Sequence, residues 1–150
     1  MRDKIAAALK DALKAQDKRR MGTIRLMQAA IKDRDIASRT QGADGGVSDE
    51  EILDILAKMV KQREESAETY AQAGRAELAN QEREEIEVIR DFMPVQLSDD
   101  EVVAACAEVV AELEATSLKD MGRVMAELKN RYAGRMDFGK AGAAIKKTLG

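Results

Sequence analysis

The sequence predicts an all-α protein: a four-helix N-terminal lobe with a long helical hairpin, followed by a three-helix C-terminal bundle. Three observations carry this. Aromatic residues make up only 3% of the 150 residues and Trp is absent. The core must then come from Leu, Ile, Val, Met and Ala, most of which favour helices, Ala above all. The single proline, Pro94, leaves long stretches free to stay helical. Apolar residues recur at three- and four-residue spacing, and no strand-like alternation occurs. A chain of this length buries roughly 68–70% of its extended surface, enough for a self-sufficient core.

Over residues 1–16, Ile5, Leu9 and Leu13 form one apolar stripe with Ala8 and Ala12 beside it. Asp17 suits the N-cap of a second helix. The stripe of that helix is Met21, Ile24, Met27 or Gln28, and Ile31, while Arg19, Arg20, Arg25 and Lys32 take other positions. Residues 37–47 predict a mobile loop, because Gly42, Gly45 and Gly46 lose too much backbone entropy in a helix. Ser48 and Glu51 have the spacing of a capping box. The helix they open carries Ile52, Ile55, Leu56, Met59 and Val60, fades into Ala67 and Tyr70, and ends at Gly74 as its C′ residue. At roughly 25 residues it would be ~37 Å long. A fourth helix is expected from about Ala76 to Phe92, with Leu78, Glu82, Ile86 and Ile89 inward. The two long helices predict an antiparallel hairpin.

Pro94 interrupts the pattern, and Ser98 with Glu101 supplies a second capping box. The lobe boundary therefore falls at 94–98, giving lobes 1–94 and 98–150. In the second lobe Val102, Val103, Cys106, Val109, Val110 and Leu113 mark the first helix. Ser117 caps the second, with Asp120 near its positive end and Met121, Val124, Met125 and Leu128 inward. The third follows Gly134 and Asp137 and carries Phe138, Ala141, Ile145 and Leu149.

Composition narrows the function. The sequence has no histidine, the commonest general acid/base and metal ligand. The lone Cys106, between Ala105 and Ala107, forms no intramolecular disulfide and reads as a small buried hydrophobe. No apolar run approaches the ~20 residues that span a bilayer. The first residues lead into an amphipathic segment without the apolar core of a signal peptide, so a cytoplasmic location is expected. Glu82, Glu84, Glu85 and Glu87 lie among Arg83 and Arg90 and read as a solvated face rather than as acid/base pairs. Gly42-Ala43-Asp44-Gly45-Gly46 is a weak phosphate cradle, since no strand precedes it and no GK[ST] follows. No catalytic residue, cofactor or metal site emerges.

Charge is patterned. Residues 1–41 hold 11 Lys/Arg against 5 Asp/Glu, residues 42–115 hold 6 against 20, and residues 116–150 hold 8 against 3. Balances of +6, −14 and +5 thus underlie a net charge of −3. The C-terminal set is Lys119, Arg123, Lys129, Arg131, Arg135, Lys140, Lys146 and Lys147, opposed only by Asp120, Glu127 and Asp137. Such residues attract phosphates and release counterions. Only Tyr132 and Phe138 interleave them, so a folded RNA read through its shape and backbone fits better than stacked bases. An anionic membrane fits less well, because the apolar stripes are needed for the bundle core.

Six blocks carry a family likeness. In order they are Thr23-Ile24-Arg25-Leu26, Lys61-Gln62-Arg63-Glu64-Glu65-Ser66, Gly74-Arg75-Ala76-Glu77-Leu78, Phe92-Met93-Pro94-Val95-Gln96-Leu97-Ser98, Asp120-Met121-Gly122-Arg123-Val124-Met125 and Gly134-Arg135-Met136-Asp137. The ordered set resembles the stand-alone YqeY-like proteins of the GatB/YqeY family, whose helical region is also the tail of the B subunit of the tRNA-dependent amidotransferase. The hinge has Phe92-Met93 where the family usually shows Tyr-Leu. The resemblance implies the four-plus-three helix division and a role near tRNA, because that tail helps hold the tRNA body. It also implies that the family's glutamine-dependent carbon–nitrogen ligase label attaches only by association. The kinase-like body and the amidase subunit that amidate Glu-tRNA(Gln) or Asp-tRNA(Asn) are not in this sequence.

The leading expectation is a tRNA-binding accessory protein. Arg123, Lys129, Arg131, Arg135 and Lys140 would engage phosphates around the loop between the last two helices, and Gly122 and Gly142 would permit close approach. The alternatives are a protein-interaction adaptor using the acidic middle, or a modulator of the amidotransferase.

Overall fold

The computed structural model describes residues 1–40 and 46–150. Over these the chain is all-helical, with no strand among the described residues. The helices are α1 (Arg2–Ala15), α2 (Lys18–Thr40), α3 (Asp49–Gln72), α4 (Ala76–Arg90), α5 (Asp99–Glu112), α6 (Met121–Tyr132) and α7 (Phe138–Leu149), with a 3-10 turn at Leu118–Asp120. Their contacts divide the chain into two compact units, Met1–Pro94 and Val95–Gly150.

In the first unit α1 packs on α2, and α3 packs on both α4 and α2. Asp17 accepts the Arg20 amide at 3.1 Å, which satisfies an early donor of α2. Ile5 and Ala12 are buried but Leu13 is 47% exposed. A strict four-residue repeat drifts about 40° per step around a helix of 100° per residue, so the third member leaves the core face. In α2 the buried residues are Thr23, Ile24, Met27 and Ile31, which settles the Met27/Gln28 alternative for Met27. The helix runs on to Thr40, past the expected loop start at residue 37. Ala37 and Arg39 sustain a helix well, and the first glycine of the expected loop comes only at residue 42. Gly42, Gly45 and the expected phosphate cradle around them lie outside the described residues.

Ser48 accepts the Glu51 amide at 3.2 Å and caps α3. The box is only half closed, because the Ser48 hydroxyl reaches Glu51 Oε1 at 3.5 Å in place of a carboxylate–backbone bond. At the other end Gly74 takes φ +75°. The Arg75 amide donates to Tyr70 O at 2.8 Å and the Gly74 amide to Ala71 O at 3.2 Å. This Schellman closure turns α3 into α4 and requires a residue that tolerates left-handed backbone. On α4 the inward residue is Ala79, while Leu78 is 36% exposed. Ile86, Ile89 and Phe92 join Ile5, Ile24, Met27, Ile52 and Leu56 in one core. Each large aliphatic fully buried there contributes roughly 1.5–3 kcal/mol.

The second unit is a three-helix bundle in which α5, α6 and α7 all touch one another. Ser98 and Glu101 close a full capping box: the Ser98 amide donates to Glu101 Oε1 at 3.1 Å and the Glu101 amide to Ser98 Oγ at 3.2 Å. Cys106, Val109, Val124, Leu128 and Ile145 form the core. Val103, expected inside, is 59% exposed, since Ala105 and Cys106 take the inward face in its place.

Candidate nucleic-acid interface

The C-terminal basic set sits on the turn before α6, on α6, on α7 and in the loop between them. Inward, α6 uses Val124 and Leu128, with Met121, Met125 and Tyr132 half-buried around them. Asp137 accepts the Gly139 and Lys140 amides at 2.8 and 3.4 Å and so starts α7. Ala141, Gly142 and Ile145 then face the core. These constraints send Lys129, Lys140, Lys146 and Lys147 outward, and Lys119 projects from the 3-10 turn; all five are exposed. Lys140 and Lys147 are seven residues apart, on nearly one line opposite Ile145.

The three arginines are used differently. Arg123 donates to Asp120 Oδ1 at 2.8 Å and to Leu113 O at 3.4 Å. Arg131 pairs with Glu112 at 2.5 Å and Glu127 at 2.7 Å, which raises its pKa further. Arg135 donates from Nε to Val95 O at 2.9 Å and lies over the Tyr132 ring, 5.9 Å from its centroid. Its carbonyl also accepts the Leu97 amide at 2.8 Å. These arginines tie α5 and the 95–97 segment to α6 and the loop after it. The Arg131–Glu127 pair is readable from its i,i+4 spacing. Glu112 is not, because it is 19 positions away.

Each carboxylate of this region is also occupied. Asp120 accepts the Thr116 and Ser117 amides at 2.9 and 3.3 Å. The Thr116 bond first, then Arg123, holds its carboxyl below the ordinary range. Glu127 holds Arg131, and Asp137 caps α7. The five lysines form no ion pair among the described residues and are the net charge that this face presents.

Several expectations need correction. Gly122 is exposed, and a Cβ there would meet nothing within 4 Å, so it supports no close helix approach. At Gly142 a Cβ would lie 3.5 Å from Met121 Cε, an ordinary contact. Glu85, read as solvated, is only 14% exposed and pairs with Arg63 at 3.0 Å and Arg19 at 3.8 Å, because α2, α3 and α4 converge on it. Cys106 is buried, and desolvation pushes its thiol up. Among the described residues no three of His, Cys, Asp or Glu converge on a metal position. No helix among the described residues is long and apolar enough to cross a membrane.

Residues 2–149 match the family described as Yqey-like protein. The chain belongs to the YqeY-like family. Among curated proteins it is similar to the "Altered inheritance of mitochondria protein 41, mitochondrial" of Clavispora lusitaniae, 32% identical over 94% of this chain and 80% of that protein. The Eremothecium gossypii protein of the same name is 34% identical over 72% of this chain and 58% of its own length. That of Pyrenophora tritici-repentis is 29% identical over 85% and 71%. The names of these relatives overturn the cytoplasmic expectation. That expectation rested on missing membrane and signal segments, which do not report a compartment.

Proposed function

We propose that this YqeY-like protein is a non-catalytic accessory protein that binds tRNA phosphates through the outer surface of α6 and α7. One observation carries the reading: all three acidic residues of 116–150 are engaged internally, while Lys119, Lys129, Lys140, Lys146 and Lys147 are exposed and unpaired. Lysines so placed neutralise phosphates without reading sequence. Arg123, Arg131 and Arg135 act one step back by holding the helices that present them. The family's link to the amidotransferase tail supports a tRNA body as the ligand, and any carbon–nitrogen ligase activity would belong to a complex.

The test is a titration of the whole chain against bulk tRNA and an unstructured RNA of equal length at two salt concentrations. Tighter, salt-sensitive binding to tRNA is expected. Absence of binding at low salt would overturn the reading and leave a protein adaptor, docking a basic partner on the acidic middle of the chain, in front.

A further inference from the structure

A second cationic face lies on the other unit, built by the hairpin of α1 and α2. Lys18, Arg25, Lys32 and Arg39 follow one another at intervals of seven residues along α2. Seven residues fall ~20° short of two full turns, so the four stay on one side of the helix. At 1.5 Å per residue they form a row ~31 Å long. All four are exposed. That side is turned roughly 120° away from the buried Ile24, Met27 and Ile31. Lys10 and Lys14 are exposed on α1, the helix packed beside α2.

None of these six cations forms an ion pair within 4.0 Å among the described residues, although Arg39, four residues after Asp35, lies close enough to help lower that carboxyl. The cations of this hairpin that do pair are others: Arg2 with Asp35, Arg19 with Glu84 and Glu85, Arg20 with Asp91, and Arg34 with Asp54. The hairpin's own acids are partly occupied as well. Asp17 caps α2, and Asp35 is held by Arg2 and by the Val47 amide. Of the rest, Asp33 lies about 100° round α2 from Lys32, and Asp11, three residues before Lys14, is the acid near that end of α1, while Asp3 is two turns below Lys10.

We infer that this face is a second phosphate-binding surface, which engages the backbone of the same tRNA as α6–α7. The inference rests on the tRNA reading above and extends it to the first unit. Charge complementarity selects the occupant. A row of exposed cations at ~10.5 Å intervals, of which Lys18, Arg25 and Lys32 have no acidic partner among the described residues, suits an extended polyanion. A bilayer would need an apolar face to insert, and the apolar side of α2 is already buried in the core, leaving Leu26 and Ile36 as its exposed large hydrophobics. Two weak faces on one chain act together, because binding at one raises the effective concentration of RNA at the other.

The experiment compares the full chain with two triple variants, K18Q/R25Q/K32Q and K129Q/K140Q/K146Q, in tRNA titrations over a series of salt concentrations. Thermal melts confirm that each variant is folded, which substitution of exposed side chains should preserve. Removing three phosphate contacts should lower affinity at least tenfold at low salt and reduce the slope of log affinity against log salt by about 3. If K18Q/R25Q/K32Q binds like the parent while K129Q/K140Q/K146Q is weakened, this inference is overturned and the α6–α7 reading stands. The reverse pattern upholds the α1–α2 face and overturns α6–α7 as the site. A parent chain with no salt-sensitive tRNA binding overturns both. Co-sedimentation with phosphatidylcholine vesicles containing about 20% cardiolipin, a strongly anionic surface, covers the remaining occupant. Vesicle binding lost in K18Q/R25Q/K32Q, with tRNA affinity unchanged, would assign the face to a membrane instead.

Discussion

The two hairpins of the first unit have similar helices and opposite charge. From Arg2 to Thr40, α1 and α2 carry 11 Lys/Arg against 5 Asp/Glu; from Asp49 to Arg90, α3 and α4 carry 6 against 12. In α3–α4 the arginines stitch the helices to each other, with Arg63 on Glu85 at 3.0 Å and Arg90 on Glu64 at 2.7 Å. In α1–α2 the Arg2–Asp35 pair crosses the hairpin and fixes its open end. The lysines and Arg25 are left over. Arg19, Arg20 and Arg34 likewise pair with acids beyond their own hairpin, so in both hairpins arginines hold the fold together, and the difference lies in the lysines and Arg25 that α1–α2 leaves exposed. Sequence charge alone does not tell these apart.

The hairpins share one apolar core, so they should not differ there. Ile24→Ala on α2 and Ile89→Ala on α4, both fully buried, should each cost about 2–5 kcal/mol in chemical denaturation. A much smaller loss for one of them would show that its hairpin docks loosely. Next in size is Arg63→Met. It leaves Glu85 without its closest partner at a site where both side chains are only 14% exposed. Full burial of an orphaned charge costs about 3–5 kcal/mol, and partial access to water reduces this to about 1–3 kcal/mol. A double-mutant cycle with Glu85→Gln isolates the pair. By contrast, K18Q/R25Q/K32Q should change stability by less than about 0.5 kcal/mol, because those exposed charges hold no ion pair.

The open end of α1–α2 also makes a pH prediction. The Arg2 guanidinium and then the Val47 amide hold the Asp35 carboxyl at about 2. Its unfolded value is about 3.9. A lowered folded-state value means that the stabilisation is present above the unfolded value and is lost as pH falls from about 4 towards 2. Asp35→Asn should lower stability at neutral pH and remove that portion of the acid sensitivity, measured as denaturation midpoints across the acid range. Gly46 sits at φ +71°, and a Cβ there would come within 3.0 Å of Asp35 Oδ1. Gly46→Ala should therefore destabilise by more than the roughly 1–2 kcal/mol of left-handed backbone alone.

What the sequence shows and what it hides divide along physical lines. Helix existence, the caps at Asp17, Ser48, Ser98 and Asp137, and the Gly74 turn are local, so their signals lie within a few residues. Periodicity places Leu13, Leu78 and Val103 inward because each neighbours a core position, and only packing shows which side of a helix wins. At the candidate interface the eight basic residues are visible as a set. Their division into structural arginines and unpaired lysines is not, because Glu112 and the Val95 carbonyl reach Arg131 and Arg135 from 19 and 40 positions away.

The smallest effect separates two glycines that look equivalent in the sequence. Gly122 is on the exposed side of α6 with nothing within 4 Å of an added methyl group, so Gly122→Ala should gain about 0.5–1 kcal/mol from helix propensity alone. Gly142 is buried, and the new methyl group would touch Met121 and Met125 at 3.5–3.8 Å, where contact adds to propensity only if both methionines keep their rotamers. Thermal melts of the two variants compare them directly. A loss at Gly142 with a gain at Gly122 would show that α6 and α7 pack without slack beneath the lysines. Gly122→Ala that stabilises the chain yet weakens tRNA binding would instead mean that the RNA backbone approaches α6 at that residue.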